Sequence, residues 1–253
     1  MNRLFLVDGD RWDAFHPLII NPGGEGVGAQ HIGRCLWLAT DDLMPPWQPA
    51  TKWVVKMVGD QLAGHSDTLS FSISRENGRF FVGPGSDVSE AVKEATACAV
   101  LGWTILEGGV LLHSSAVGFA GAAHLFPGPS GVGKTTTARW AASQGATALA
   151  TDQTALLPDP ASQGWLAAGD EGSGVLLPLS RISLLGRGEV TQRRPLGRGE
   201  ALAALMSNVI LWPGADALHE LVLGRVLALV QALEVSRLDV DLATRTPALV
   251  LHE

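Results

Sequence analysis

The sequence predicts an α/β protein in which a nucleotide-binding core follows a β-rich N-terminal region. Three observations carry this. The stretch Gly128-Pro129-Ser130-Gly131-Val132-Gly133-Lys134-Thr135 meets the phosphate-binding pattern G-x-x-x-x-G-K-[ST] at every required position, with Thr136 directly behind it. The apolar run 122–126 reads as a strand leading in, and 134–144 reads as a helix leading out that Gly145 can end in the left-handed conformation. Ahead of both, residues 1–86 are short apolar or alternating runs separated by turn residues.

The loop explains itself chemically. Converging backbone N–H groups and a helix N-terminus hold polyphosphate well, and glycines let the backbone close around it. Gly128 to Thr136 are therefore the expected nucleotide-binding residues, with Lys134 as a point charge near the β/γ oxygens and Thr135 completing a Mg²⁺ shell. A nucleoside triphosphate is the expected ligand.

Composition sets the class. At 253 residues, 46% hydrophobic and 17% charged, the chain is globular and long enough for a sizeable core. A net charge of −7 argues against a nucleic-acid surface, and no apolar run approaches the ~20 residues of a membrane span. The first ten residues carry only a short apolar run before Asp8, unlike a signal peptide. With two cysteines, Cys35 and Cys98, this implies reduced thiols and a cytoplasmic protein.

In the first region, 1–86, strands are expected at 4–7, 17–20, 35–38, 53–58, 69–73 and 79–82, with Asn77-Gly78 as a hairpin signal. The glycines of the loop 21–28 do not fall into G-x-G-x-x-G, so it reads as a plain loop. His31 and Cys35 lack a second ligand pair for a metal.

The second region, 87–253, opens with a helix to Leu106. Asp87 and Glu90 form its capping box, and Val92, Ala95, Ala99, Trp103 and Leu106 make one apolar face. Strands 110–112 and 116–119 then turn at Gly121 into the strand feeding the loop. After the loop helix, strand 146–150 ends in Thr151-Asp152, where an acid at a strand's carboxyl end suits a second metal anchor. Strands follow at 154–157 and 165–168, and Pro178 makes 176–185 an edge strand or a loop. The segment 186–199 is the most basic, containing Arg187, Arg193, Arg194 and Arg198. Helices at 200–209 and 215–233 and strands at 235–240 and 248–251 complete the chain.

The spacing of these parts becomes specific. His113 lies fifteen residues before Gly128, and Gly145 and Asp152 lie eleven and eighteen after Lys134. With Gly131-Val132-Gly133-Lys134-Thr135-Thr136, this resembles the catalytic domain of HPr kinase/phosphorylase and its relatives, a group related in turn to ATP-dependent phosphoenolpyruvate carboxykinase. The resemblance covers residues 108–157 well and 175–210 loosely. It implies a P-loop kinase core of the HPr kinase/PEP carboxykinase type, with ATP and Mg²⁺ as cofactors and a serine of a peptide or protein as acceptor. Some relatives sit with ribosomal-peptide biosynthesis and modify the precursor peptide. Two departures stand out: the family's adjacent aspartates are here Thr151 and Asp152, and the arginine-glycine signature survives only as an echo at 171–175.

The candidate catalytic residues are therefore His113, Lys134 and Asp152, with Thr135 and Asp152 for the metal. His113 or Asp152 is the base toward an acceptor hydroxyl, His113 alternatively being a hydrogen-bonded core histidine. Asp170 and Glu171 are either a second acid pair or a solvated turn; Arg193, Arg194 and Arg198 either clamp phosphate or lie on solvated surface. Trp103, Trp140, Trp165 and His124 read as core, whereas Trp12, Trp47 and Trp53 either pack or line a peptide groove. The N-terminal region is expected to build part of the substrate site or a homo-oligomer contact. The sequence thus leads to an ATP-dependent peptide or protein kinase, with a small-molecule kinase or a nucleotide-binding switch that has lost catalysis as alternatives.

Overall fold

The computed structural model describes residues 4–8, 35–36, 53–75, 77–82, 88–169 and 175–241. The expected strands 17–20 and 248–251, the loop 21–28, His31, Trp12, Trp47, Asp87, Asp170 and Glu171 lie outside them. Among the described residues the architecture is mixed α/β, and no helix is long and apolar enough to cross a membrane. The chain divides into two compact units, Met1–Glu107 with Leu211–Leu221, and Gly108–Ile210 with Val222–Glu253.

The first unit carries β1 (Leu4–Asp8), β2 (Cys35–Leu36), β3 (Val54–Val58), β4 (Gln61–His65), β5 (Leu69–Ile73) and β6 (Asn77–Val82), followed by α1 (Val88–Leu106). They form one antiparallel sheet in the order β2-β1-β6-β5-β4-β3. Strand β5 shows why: Leu69, Phe71 and Ile73 alternate with serines and are buried. Phe71 stacks on Trp212 at 5.3 Å and lies 5.7 Å from Trp53, which is 1% exposed. Trp53 is thus core and lines no groove. Helix α1 comes close to this sheet at Gly102, where a Cβ would stand 2.6 Å from Ile73 Cδ1. Its second half is buried nearly all round, with Cys98, Leu101 and Ile105 inside as well as Ala95, Ala99 and Trp103, so the single-faced expectation is too narrow.

Two features of this unit differ from the sequence reading. Strand β4 is new, because its short Leu-Ala-Gly centre carries little apolar pattern; Gly59, at φ +65°, turns β3 into it. The Asn77-Gly78 pair is not a turn. Both residues lie in β6, drawn into the ladder by β1 through Asp8↔Asn77 and Val7↔Gly78. The β5–β6 connection therefore falls earlier, where Trp103 Nε1 donates to the Ser74 carbonyl at 2.9 Å.

The second unit holds β7 (Val110–Phe119), β8 (Ala122–Pro127), α2 (Lys134–Ser143), β9 (Thr147–Ala150), β10 (Gln153–Pro158), β11 (Trp165–Gly169), β12 (Leu177–Arg187), β13 (Gln192–Pro195), α3 (Arg198–Met206) and β14 (Val235–Val240). A further helix, α4 (Asp216–Ala232), crosses the division after Leu221. The sheet runs β11-β10-β7-β8-β12-β14-β13, with β9 beside β7. Pairing is parallel for β8–β12 and β12–β14, and the remaining pairs are antiparallel.

The two strands expected at 110–112 and 116–119 are one, because Ser114 and Ser115 are buried within it and keep the ladder unbroken. Ala120 and Gly121, both at positive φ, form the tight turn into β8. The segment with Pro178 is neither edge nor loop: β12 is an interior strand. Its proline sits at the second position, ahead of the parallel ladder with β8, which starts at Leu179. The basic segment adds β13, and α3 begins two residues earlier and ends three earlier than the expected 200–209.

Helix α2 packs on one face of this sheet. Ala138 and Ala141 lie against Val117, Phe126, Leu185 and Leu238, all at most 5% exposed. Small residues let the helix axis come close, so a larger side chain at Ala138 would overpack by about 1–3 kcal/mol.

Candidate nucleotide site

The site is built where β7 changes partners on both edges. Its first half pairs with β10 on one side and meets residues 208–210 on the other, through His113 N–H to the Asn208 carbonyl and the Leu112↔Val209 bridge. Its second half pairs with β9 and β8 instead. The last β8 pair is Ser114↔Pro127, so the glycine loop peels away beside His113. On the opposite edge β9 and β10 behave as one strand interrupted at Thr151-Asp152. The break is held by Ser114 N–H to the Asp152 carbonyl, 3.0 Å, and it frees the Asp152 carboxylate to face His113.

The loop itself needs its glycines. Gly131 has φ +75° and Gly133 φ +109°, in the region other residues rarely adopt. Gly128 is buried, and a Cβ there would stand 3.0 Å from Val132 Cγ1 and 3.2 Å from the Leu185 carbonyl. Val132 is tucked into the α2 core at 9% exposure. Pro129, Ser130 and Thr136 are exposed. Gly133 caps α2 with no side-chain hydrogen bond, and the first turn contains no acidic residue. The positive end of this helix thus has no anionic side chain in its own first turn. Ser115 fixes its position from β7, donating to the Lys134 carbonyl at 2.9 Å.

Lys134 is 6% exposed, and each ammonium N–H has an acceptor: the carbonyls of Gly128 at 2.9 Å and Pro129 at 3.2 Å, and His113 Nε2 at 2.8 Å. Burial lowers its pKa, partly opposed by the Asp152 charge. On the other ring nitrogen, His113 Nδ1 lies 3.2 Å from Asp152 Oδ1. The hydrogen bond from His113, with the charge of Lys134, holds the Asp152 carboxyl below the usual carboxylate range against partial burial. These contacts assign the tautomer. An ammonium can only donate, so Nε2 presents its lone pair and Nδ1 carries the proton toward Asp152.

The structure therefore brings Lys134, His113 and Asp152 into one hydrogen-bonded row, and the lone core-histidine alternative does not hold for His113. Thr135 is close by in chain and donates its hydroxyl to the Thr151 carbonyl at 3.2 Å, which leaves its oxygen lone pairs unspent. It is the Thr151 backbone carbonyl that receives this hydrogen bond. Among the described residues no group of three or more His, Cys, Asp and Glu is disposed to hold a metal. The Thr135 hydroxyl and the Asp152 carboxylate are hard oxygen donors of the type Mg²⁺ takes, and would suit an ion shared with polyphosphate oxygens.

Other candidates separate from the row. Arg194 is committed to Glu200, 2.9 Å away, so it is not available as a phosphate clamp in this arrangement. His124 is buried, 3.0 Å from Ser183 Oγ and with its ring 4.3 Å from Phe126 in a tilted contact, as a core histidine. Trp103 and Trp165 are buried and Trp140 partly so. Arg187 is the residue the sequence reading passed over: its guanidinium donates to the Gly131 carbonyl on the loop. Only its place at the end of a strand beside β8 could have singled it out, and that strand was not expected inside the sheet.

No family model matches the chain, and no curated protein matches it. Among solved structures, an HPr(Ser) kinase/phosphatase from Coxiella burnetii aligns with 46% of this chain and 87% of its own, at 15% identity and a TM-score of 0.24. That likeness is slight. The residues of the loop and its neighbours carry the functional case instead.

Proposed function

We propose that the protein is an ATP- and Mg²⁺-dependent phosphotransferase that moves the γ-phosphate to a hydroxyl, serine or threonine, of a peptide or protein. The observation that supports it best is the row Lys134–His113–Asp152 set against a glycine loop whose helix has no side-chain cap. Phosphoryl transfer asks a protein mainly for positioning and charge stabilisation, and this row would supply both. The loop N–H groups and Lys134 would hold the β- and γ-phosphates, Lys134 exchanging at least one of its present acceptors for a phosphate oxygen. Mg²⁺, held by Thr135 and Asp152, would neutralise charge on the phosphates. His113, its Nδ1 proton fixed on Asp152, would then offer Nε2 to the acceptor hydroxyl and take its proton. ATP over GTP and the peptide acceptor rest on the family resemblance, and the N-terminal region would build part of the substrate site or a homo-oligomer contact.

The test is γ-phosphate consumption from Mg·ATP, alone and with peptides or proteins encoded beside the gene. Turnover that rises with one neighbour and disappears in Lys134→Ala and Asp152→Asn supports the kinase. Tight ATP binding with no turnover under any of these conditions supports the second reading, a nucleotide-binding switch. One observation favours that reading: Thr151 leaves a single carboxylate at the strand break, so metal binding and base orientation both fall to Asp152.

A further inference from the structure

The glycine loop is held from two sides, by Lys134 from within and by Arg187 from outside. Arg187 closes β12, which runs parallel to the strand feeding the loop. Alternation along β12 puts Arg187 on the same face as Leu185. Leu185 packs with Val132, Ala138 and Ala141, the residues that seat the loop and α2. Its carbonyl would touch a Cβ at Gly128. The end of β12 thus lies along the loop on the α2 side, and Arg187 reaches across to the carbonyl of Gly131, whose positive φ turns that peptide outward.

We infer that Arg187 is a phosphate-contacting residue, which trades the Gly131 carbonyl for the terminal phosphate oxygens of the bound nucleotide; this rests on the nucleotide reading of the loop. Three features support it. The side chain is exposed, so moving it costs little desolvation. Its present partner is a neutral carbonyl, whereas a phosphate oxygen would add an opposite charge to the hydrogen bond. Its planar fork can take two oxygens of one phosphate, a geometry Lys134 lacks. Arg194, in the same basic segment, is instead paired with Glu200. Arg237, on the neighbouring strand, is paired with Asp239.

The contact belongs to the end of the polyphosphate, so the effect of removing it must depend on phosphate number. Affinities of ATP, ADP and AMP with Mg²⁺ would be measured by calorimetry for the wild type, Arg187→Met and Arg187→Lys. The expected result for Arg187→Met is an ATP affinity lower by about tenfold or more, a smaller loss for ADP and none for AMP, the size expected of one charged hydrogen-bonded contact. Arg187→Lys should recover part of the ATP loss, because it keeps the charge without the fork. An equal loss for all three nucleotides would make Arg187 a structural clip on the loop and overturn the inference. So would unchanged affinities. A wild type that holds none of the three would overturn the nucleotide reading itself and this inference with it, an outcome distinct from a wild type that binds while the variants match it.

Discussion

Two helices of the second unit begin in opposite electrostatic conditions. Both α2 and α3 start after a glycine, and neither has a side-chain cap. Before α3 the glycine, Gly197, has φ −64° and ψ 148°, an extended backbone open to any residue. Glu200 stands in its first turn and pairs with Arg194, so the positive helix end is answered within the protein. Before α2 the glycine has φ +109°, and a cation, Lys134, occupies the first helical position with no acidic residue near it in the turn. Two positive features are stacked there, met by carbonyls, the His113 ring and the charge of Asp152 beyond it, with no acidic residue in the first turn itself. The contrast teaches that the uncapped start of α2 is not a lapse in helix design. On the function proposed, it is where the anion from outside would sit.

The largest test of the contrast exchanges the first helical residue at each start. Lys134→Ala should abolish γ-phosphate consumption, a loss of about 10²-fold or more if Lys134 is among the charges that stabilise the transferring phosphate. Arg198→Ala, the same position in α3, should leave both turnover and the melting temperature within error. A Lys134→Ala protein that still turns over would remove α2 from the role proposed for it.

The preceding glycines should separate next. Gly133→Ala forces a φ of +109° on a residue with a Cβ, and should destabilise the fold by about 1–3 kcal/mol in chemical denaturation. At Gly197 nothing lies within 4 Å of the added Cβ, and φ is ordinary. Gly197→Ala should be neutral or stabilise by about 0.4–1 kcal/mol through the unfolded chain. Equal costs at the two sites would mean that the loop's conformation is not what sets the helices apart.

How much of this could be read without coordinates obeys the same division. The α2 start was legible because its requirements are local. Glycines, a lysine and a hydroxyl at fixed offsets, after an apolar run, leave few other solutions. The pairing of His113 with Asp152 was legible only as a spacing, since the two residues meet through a strand break that no local pattern encodes. Asn77-Gly78 misled because β1, far away in sequence, pairs with it and turns a turn signal into strand. Pro178 misled for a related reason: it pairs only with Leu166 of β11 at the start of β12, and the parallel ladder with β8 begins one residue later. Arg187 depended on β12 and was lost with it.

The smallest effects concern charge and acidity. Asp152 titrates below the ordinary carboxylate range when folded, so its ionised form favours the native state. That contribution is fully present above the unfolded value, about 3.9, and is lost as pH falls through the folded value. The stability advantage of the wild type over Asp152→Asn should therefore shrink on acidification below about pH 4, measured by denaturation at each pH. An advantage that grows toward low pH would reverse the sign and rule out a stabilising His113–Asp152 bond. Glu200 is lowered in the same direction by Arg194, but it lies in solvent. Glu200→Gln should give a smaller effect that vanishes with added salt, whereas the Asp152 effect, with its partners half-buried, should persist. Salt sensitivity at Asp152 matching that at Glu200 would mean that the row beside α2 is as screened as the open pair at α3. The helix start would then hold no protected charge for a phosphate to meet.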